Sequence, residues 1–172
     1  LVFFAGILAF QGRLPVLRAA LSEPRRAAII FAAAVLIALN WFGFIFAIKF
    51  GYAVEASLGY YIFPLVAVLL GRFVLGESLS QWQWGAVALA SLAVGILAIG
   101  LGVPPWIALG LAGTFGAYGL VKKQLDLGPV VSVTAEVLTL APMAAGYLLA
   151  FATPDKTLWT QGLLMLSGPL TA

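Results

Sequence analysis

Hydrophobic positions along this chain fall into long unbroken blocks, and charged residues stand almost only between them. Crossing the hydrocarbon core of a bilayer takes about 20 mostly apolar residues at about 1.5 Å of rise each. Blocks at residues 27–50, 57–75, 84–101, 105–121 and 130–151 approach or reach that length, so each is read as a spanning helix. The apolar runs 1–10 and 163–172 are roughly half as long as a span. Residue 1 is Leu, and the first run has neither the charged leader nor the small-residue cleavage pattern of a signal peptide. The pattern therefore predicts an all-α, polytopic transmembrane helix bundle, present here as an internal piece of a longer protein.

Composition agrees with this and narrows the chemistry. Of 172 residues, 63% are hydrophobic and 9% charged, against about 25% charged in soluble domains. An ordinary water-soluble globule is excluded. The net charge of +3 is spread too thinly to make a basic face for nucleic acid. Cys and His are both absent, which removes thiol and imidazole nucleophiles, zinc sites, disulfides and Ser-His-Asp triads. There is no phosphate-cradling glycine loop, no Gly-x-Ser-x-Gly elbow and no carboxylate pair at catalytic spacing. An enzyme is not expected, nor is a cofactor or a metal.

The basic residues set an orientation. Arg13, Arg18, Arg25, Arg26, Arg72, Lys122 and Lys123 fall in one set of alternate loops, whereas the other set holds Lys49 and Lys156. Positively charged short loops stay cytoplasmic, which places segments 13–26, 72–81 and 122–128 on that side. The uncharged breaker run Gly100-Leu101-Gly102-Val103-Pro104-Pro105 is the expected boundary between two halves, 1–102 and 103–172. Inverted halves are a common build of secondary transporters.

Several residues do not belong in hydrocarbon. Glu136 lies inside the 130–151 block, where a charge costs a few kcal/mol or more, and helical spacing puts Ser132, Thr139 and Met143 on its face. This polar stripe is expected to face protein or water. Removal from water disfavours the ionised carboxylate, so Glu136 is the expected proton-loading group of a proton-coupled carrier; the bland alternative is a carboxyl that only orients helices. Asn40 sits mid-span with Trp41 and Phe44 nearby, either contacting a solute or hydrogen-bonding a neighbouring helix.

Pro64 frees the carbonyl of Tyr60, and Pro142 frees that of Leu138. Interrupted helices of this kind line transporter cavities, though prolines also occur in membrane helices without such a role. Tyr60 and Tyr61 suit a vestibule or the aromatic belt. Gly110, Gly113, Gly116 and Gly119, with Ser91 and Gly95, are read as close-packing positions. Arg72 and Glu77 flank Gly76, a helix stop, and are expected to form a salt bridge or interface anchor. Glu55 complements a helix N-terminus.

The run Asn40-Trp41, then Glu55-Ala56-Ser57-Leu58-Gly59-Tyr60 with Pro64, Leu75-Gly76-Glu77 and Gln83-Trp84, resembles the RarD branch of the EamA-type transporters in the drug/metabolite transporter superfamily. Pro105-Trp106, Tyr118-Gly119-Leu120 with Lys122-Lys123, and Glu136 with Pro142 and Tyr147 extend the resemblance over essentially the whole chain. It implies a ten-helix inner-membrane protein of two inverted five-helix repeats with cytoplasmic termini, of which this chain holds part of helix 2 through part of helix 8. It also implies transport of small metabolites or drugs. Phe63 before Pro64, where Asn is usual, and Lys49, where Asn is frequent, are departures.

The primary reading is a secondary transporter moving a small organic solute across the inner membrane by alternating access. Asn40, Trp41, the stretch Ser57 to Pro64 with Tyr60, and the face of Ser132, Glu136 and Thr139 line its central cavity, with Glu136 as the proton-coupling or solute-amine-binding group. The expected partners are the solute, protons and the lipid bilayer. The competing reading is a non-transporting membrane scaffold or accessory subunit whose polar residues fix helix packing.

Overall fold

The computed structural model describes residues 2–102 and 105–151, and every regular element among them is a helix. The order is α1 (Val2–Phe10), α2 (Leu14–Ser22), α3 (Pro24–Lys49), α4 (Ala53–Val74), α5 (Gln81–Leu101), α6 (Trp106–Lys122) and α7 (Pro129–Phe151). Among the described residues, α3, α4, α5 and the Pro129–Gly146 part of α7 are long and apolar enough to cross a membrane. Helix α6 has 17 residues, or about 25 Å at 1.5 Å each.

Helices α3, α4, α5 and α7 begin earlier than the corresponding apolar blocks. Helix α3 starts at Pro24 and carries Arg25 and Arg26 in its first turn, since long cationic side chains reach the polar interface from a helix end. Helix α5 starts at Gln81 because Ser80 and Gln83 cap it reciprocally. The Ser80 hydroxyl accepts from the Gln83 amide at 3.3 Å, and Gln83 Oε1 accepts from the Ser80 amide at 2.8 Å. Helix α4 stops at the expected place, where Gly76 adopts φ +71°. The segment 13–26, expected as loop, contains α2, bent 112° from α1 after Gly12. It is amphipathic, with Leu17 and Ala20 buried and Arg18 exposed, and Arg13 caps its start.

The chain divides into two compact units, Leu1–Pro24 with Leu127–Ala172, and Arg25–Asp126. In the first, α1 and α2 pack on α7. Leu8, Ala20, Val131, Thr134 and Ala135 are fully buried.

In the second unit α4 lies along α6. A Cβ on Gly59 would meet the Ala108 carbonyl at 3.2 Å, and one on Gly116 would meet Leu70 at 2.9 Å and Val66 at 3.1 Å. Residue numbers rise together along the contact, so α4 and α6 run parallel, as helices two spans apart must in an alternating topology. Leu58, Ile62, Ala108 and Ala112 form the core of this contact.

The close-packing stripe is not the expected one. Ala108, Ala112 and Gly116 are buried, whereas Gly110, Gly113 and Gly119 have no atom within 4 Å of a Cβ position. Steps of four residues drift only about 40° round a helix, while three steps of three carry a residue about 180° away. Gly110 and Gly119 therefore point to opposite sides. Helix α5 has no buried residue, and Gly95 meets nothing.

Candidate functional site

Asn40 is the polar centre of the second unit. Its Nδ2 donates to the Leu111 carbonyl at 2.8 Å and to the Thr114 hydroxyl at 2.9 Å, tying α3 to α6. A carbonyl only accepts, so Leu111 fixes which end of the amide faces α6. Thr114 in turn donates to a carbonyl of its own helix, Gly110 at 2.9 Å or Leu111 at 3.0 Å. Such interhelical bonds satisfy polar groups that hydrocarbon would leave unpaired.

Beside this bridge lies a narrow cleft lined by Asn40 and Phe44 of α3, Ala56, Gly59, Tyr60 and Phe63 of α4, and Leu111 and Phe115 of α6. Its free volume of ≈10 Å³ is about that of a single water position. The rings lie in pairs. Phe44 meets Tyr60 edge to face at 5.7 Å, and Phe63 meets Phe115 at 4.6 Å. Trp41 is 57% exposed and sits edge-on to Phe44 at 6.4 Å.

Helical phase sorts the rest of α4. Residues 56, 59, 60 and 63 share the cleft side, while Ser57 is exposed and returns its hydroxyl to the Ala53 carbonyl at 2.8 Å. Pro64 faces the other way, lining a ≈270 Å³ groove with Leu65, Val68, Gln83, Ala86 and Val87 between α4 and α5. Asn40 and Tyr60 are thus brought to one cleft, and Ser57 and Pro64 are not. Thr114 and Phe115 are not picked out by the sequence, whereas Phe63, a departure from the family pattern there, lines the cleft. The signal for Thr114 was its hydroxyl amid the glycines, alanines and leucines of α6.

At the C-terminal ends of α4 and α6 the expected Arg72–Glu77 salt bridge is replaced. Glu77 Oε1 pairs with Lys123 Nζ at 2.6 Å, and Arg72 Nη1 donates instead to the Glu77 backbone carbonyl at 3.2 Å. The Glu77 carboxylate leans back over Gly71, where a Cβ would lie 2.7 Å from Oε2, and Lys123 stands in front of it.

Glu136 belongs to the first unit. It is 4% exposed and accepts from the Ser132 hydroxyl at 2.8 Å. Thr139, one turn further, is half-buried and donates to the Ala135 carbonyl at 2.8 Å. Ser132, Glu136 and Thr139 therefore form the stripe that helical spacing requires, and Met143, two turns beyond Glu136 on the same face, is 76% exposed. No group of three or more metal-ligating side chains occurs among the described residues.

Comparison with known proteins places this arrangement. The model of the EamA-like transporter family matches residues 1–101. Protein RarD of Streptomyces exfoliatus is 47% identical over 133 residues, covering 77% of this chain and 42% of that protein. An uncharacterized transporter of Pseudomonas aeruginosa is 41% identical over 155 residues, 87% of this chain and 52% of its own. Protein RarD of Escherichia coli (strain K12) is 41% identical over 136 residues, 79% of this chain and 46% of its own. The chain spans about half the length of these curated relatives. No solved structure matches. Four apolar spans and these matches make this a multi-pass membrane protein, and the chain belongs to the EamA-like transporter family, in its RarD branch.

Proposed function

We propose that the intact protein is a secondary transporter that moves a small organic metabolite or drug across the inner membrane by alternating access. The observation that carries this is the Asn40 cleft, a polar amide among aromatic rings inside an otherwise apolar three-helix contact. Solute sites are mostly apolar with a few placed polar groups. A cleft with room for little more than one water is then a closed form, to be opened by relative motion of α3 against α4 and α6. Asn40, Tyr60 and the exposed Trp41 contact the solute, while Ser57 and Pro64 shape the faces of α4 that turn toward lipid or further helices.

Proton coupling is assigned to the second polar face, Glu136 with Ser132 and Thr139. Its support is a carboxyl held at 4% exposure in a spanning helix, since intramembrane acids are usually functional. The two-repeat build, with halves 1–102 and 103–172 of a ten-helix protein, is supported by the family match, which stops at residue 101.

The test exploits the absence of cysteine from this chain. Single cysteines at Tyr60, Ser132, Glu136 and Thr139 of the intact protein are probed with a membrane-impermeant thiol reagent from each side. Labelling at these positions, and not at the control Leu92, an apolar residue exposed on α5, is the expected result. If all four stay unlabelled from both sides in folded protein, both faces are dry packing and the pathway lies elsewhere.

A further inference from the structure

We infer that the Asn40 cleft selects a cationic or amine-bearing aromatic solute and rejects the matching organic anion; this rests on the cleft being the solute pathway. The argument starts from which hydrogen-bonding capacity is already used. Both hydrogen bonds of the Asn40 amide nitrogen end on α6, at Leu111 and Thr114. Its Oδ1 has no partner among the described residues, yet no fully enclosed polar side-chain atom is left without one. Oδ1 therefore keeps accessible surface, and it can only accept.

The other cleft groups point the same way. Phe44, Tyr60, Phe63 and Phe115 present rings whose faces carry negative potential and attract cations within about 6 Å. No Lys or Arg lines the cleft, so nothing there would neutralise a carboxylate or phosphate. The charged residue nearest along α4 is Glu55, one turn before Gly59. It is 7% exposed, and no described residue gives it a hydrogen bond or ion pair. A carboxylate in that position adds negative potential at the same end of the helix pair. An ammonium group meets an acceptor, ring faces and a nearby carboxyl, whereas a carboxylate of equal size finds no cation there and at most the Tyr60 hydroxyl as a donor.

The intact protein in detergent is titrated with tritiated phenethylamine, cationic at neutral pH, and challenged with 3-phenylpropionate, an anion of similar size and apolar area. Saturable binding is expected, with no competition from a tenfold excess of phenylpropionate. Phe63→Leu should weaken binding about fivefold to tenfold by removing a ring face, while Phe63→Tyr retains it. Glu55→Gln should weaken the cation further without affecting a neutral analogue such as 3-phenylpropanol. Equal or better binding of phenylpropionate overturns the charge preference and leaves the pathway standing. Binding of the amine that is unchanged in both Phe63→Leu and Glu55→Gln, or no saturable binding at all, overturns the proposal. In those cases, labelling at Tyr60 decides whether the pathway reading also falls.

Discussion

Glu77 and Lys123 pair at 2.6 Å across the C-terminal ends of two helices that are separated in the sequence by the whole of α5. The pair exists because α4 and α6 run parallel and end at one level, bringing an acid just after one helix to the cationic cap of the other. Both side chains are at least half exposed, at 51% and 60%, so water and salt screen them.

Breaking that pair should therefore cost little. Lys123→Met is expected to lower stability by about 0.5 kcal/mol or less, with the difference shrinking at high salt. Unfolding by titrated denaturing detergent, at low and high ionic strength, checks it. A loss of several kcal/mol would show that the pair is buried in the intact assembly.

The α4–α6 contact should be far less tolerant at its glycines. A methyl on Gly59 is driven against the Ala108 carbonyl at 3.2 Å, a backbone atom that cannot swing away. Gly59→Ala is expected to destabilise by about 1–3 kcal/mol, the usual cost of overpacking. Gly113→Ala, with open space at its Cβ position, should be neutral or gain up to about 1 kcal/mol of helix propensity. Equal melting temperatures for the two variants would contradict the packing.

That contrast also shows what the sequence carried. The helices themselves were legible, because hydropathy over 20 residues is a sum that no single position can spoil. Their starts were not, because Arg25, Arg26 and Glu55 end an uncharged block without ending a helix, whose first turn can sit in the polar interface. The amphipathic α2 reads as loop for the same reason, because Arg18 within it and Arg13 before it interrupt the apolar pattern. Gly110 to Gly119 looked like a packing stripe by spacing, but which side of α6 meets α4 is a tertiary fact, fixed by the small residues Ala108, Ala112 and Gly116. Asn40 stood out as a polar residue in hydrocarbon, yet its choice of Thr114 over every other hydroxyl required the fold.

The Asn40–Thr114 bridge should be modest in energy and specific in function. Membrane interhelical hydrogen bonds average about 0.6 kcal/mol, and the Thr114 hydroxyl keeps its own helix carbonyls when Asn40 is lost. A double-mutant cycle of Asn40→Leu and Thr114→Val is expected to give a coupling of about 0.5–1.5 kcal/mol in detergent unfolding. Solute flux should fall much further with Asn40→Leu than with Thr114→Val, because only the former removes Oδ1 from the cleft. Equal flux losses for both variants would make the bridge purely structural.

Glu136 offers the sharpest separation of structure from transport. Glutamine at this position keeps an oxygen to accept the Ser132 hydroxyl, so the 2.8 Å bond and the packing of α7 against α1 and α2 should survive. What it cannot do is bind and release a proton. In the intact protein, Glu136→Gln is therefore expected to reach the membrane in normal amounts and to exchange solute down its gradient. Uptake or export driven by an imposed proton gradient should be lost. Ser132→Ala, which keeps the carboxyl but removes the Ser132 hydroxyl, should leave gradient-driven flux measurable. The decisive measurement is flux in proteoliposomes with and without the gradient. Gradient-driven transport at the normal rate in Glu136→Gln would reduce this carboxyl to a helix-packing group, whereas loss of exchange and drive together would place it in solute binding instead of coupling.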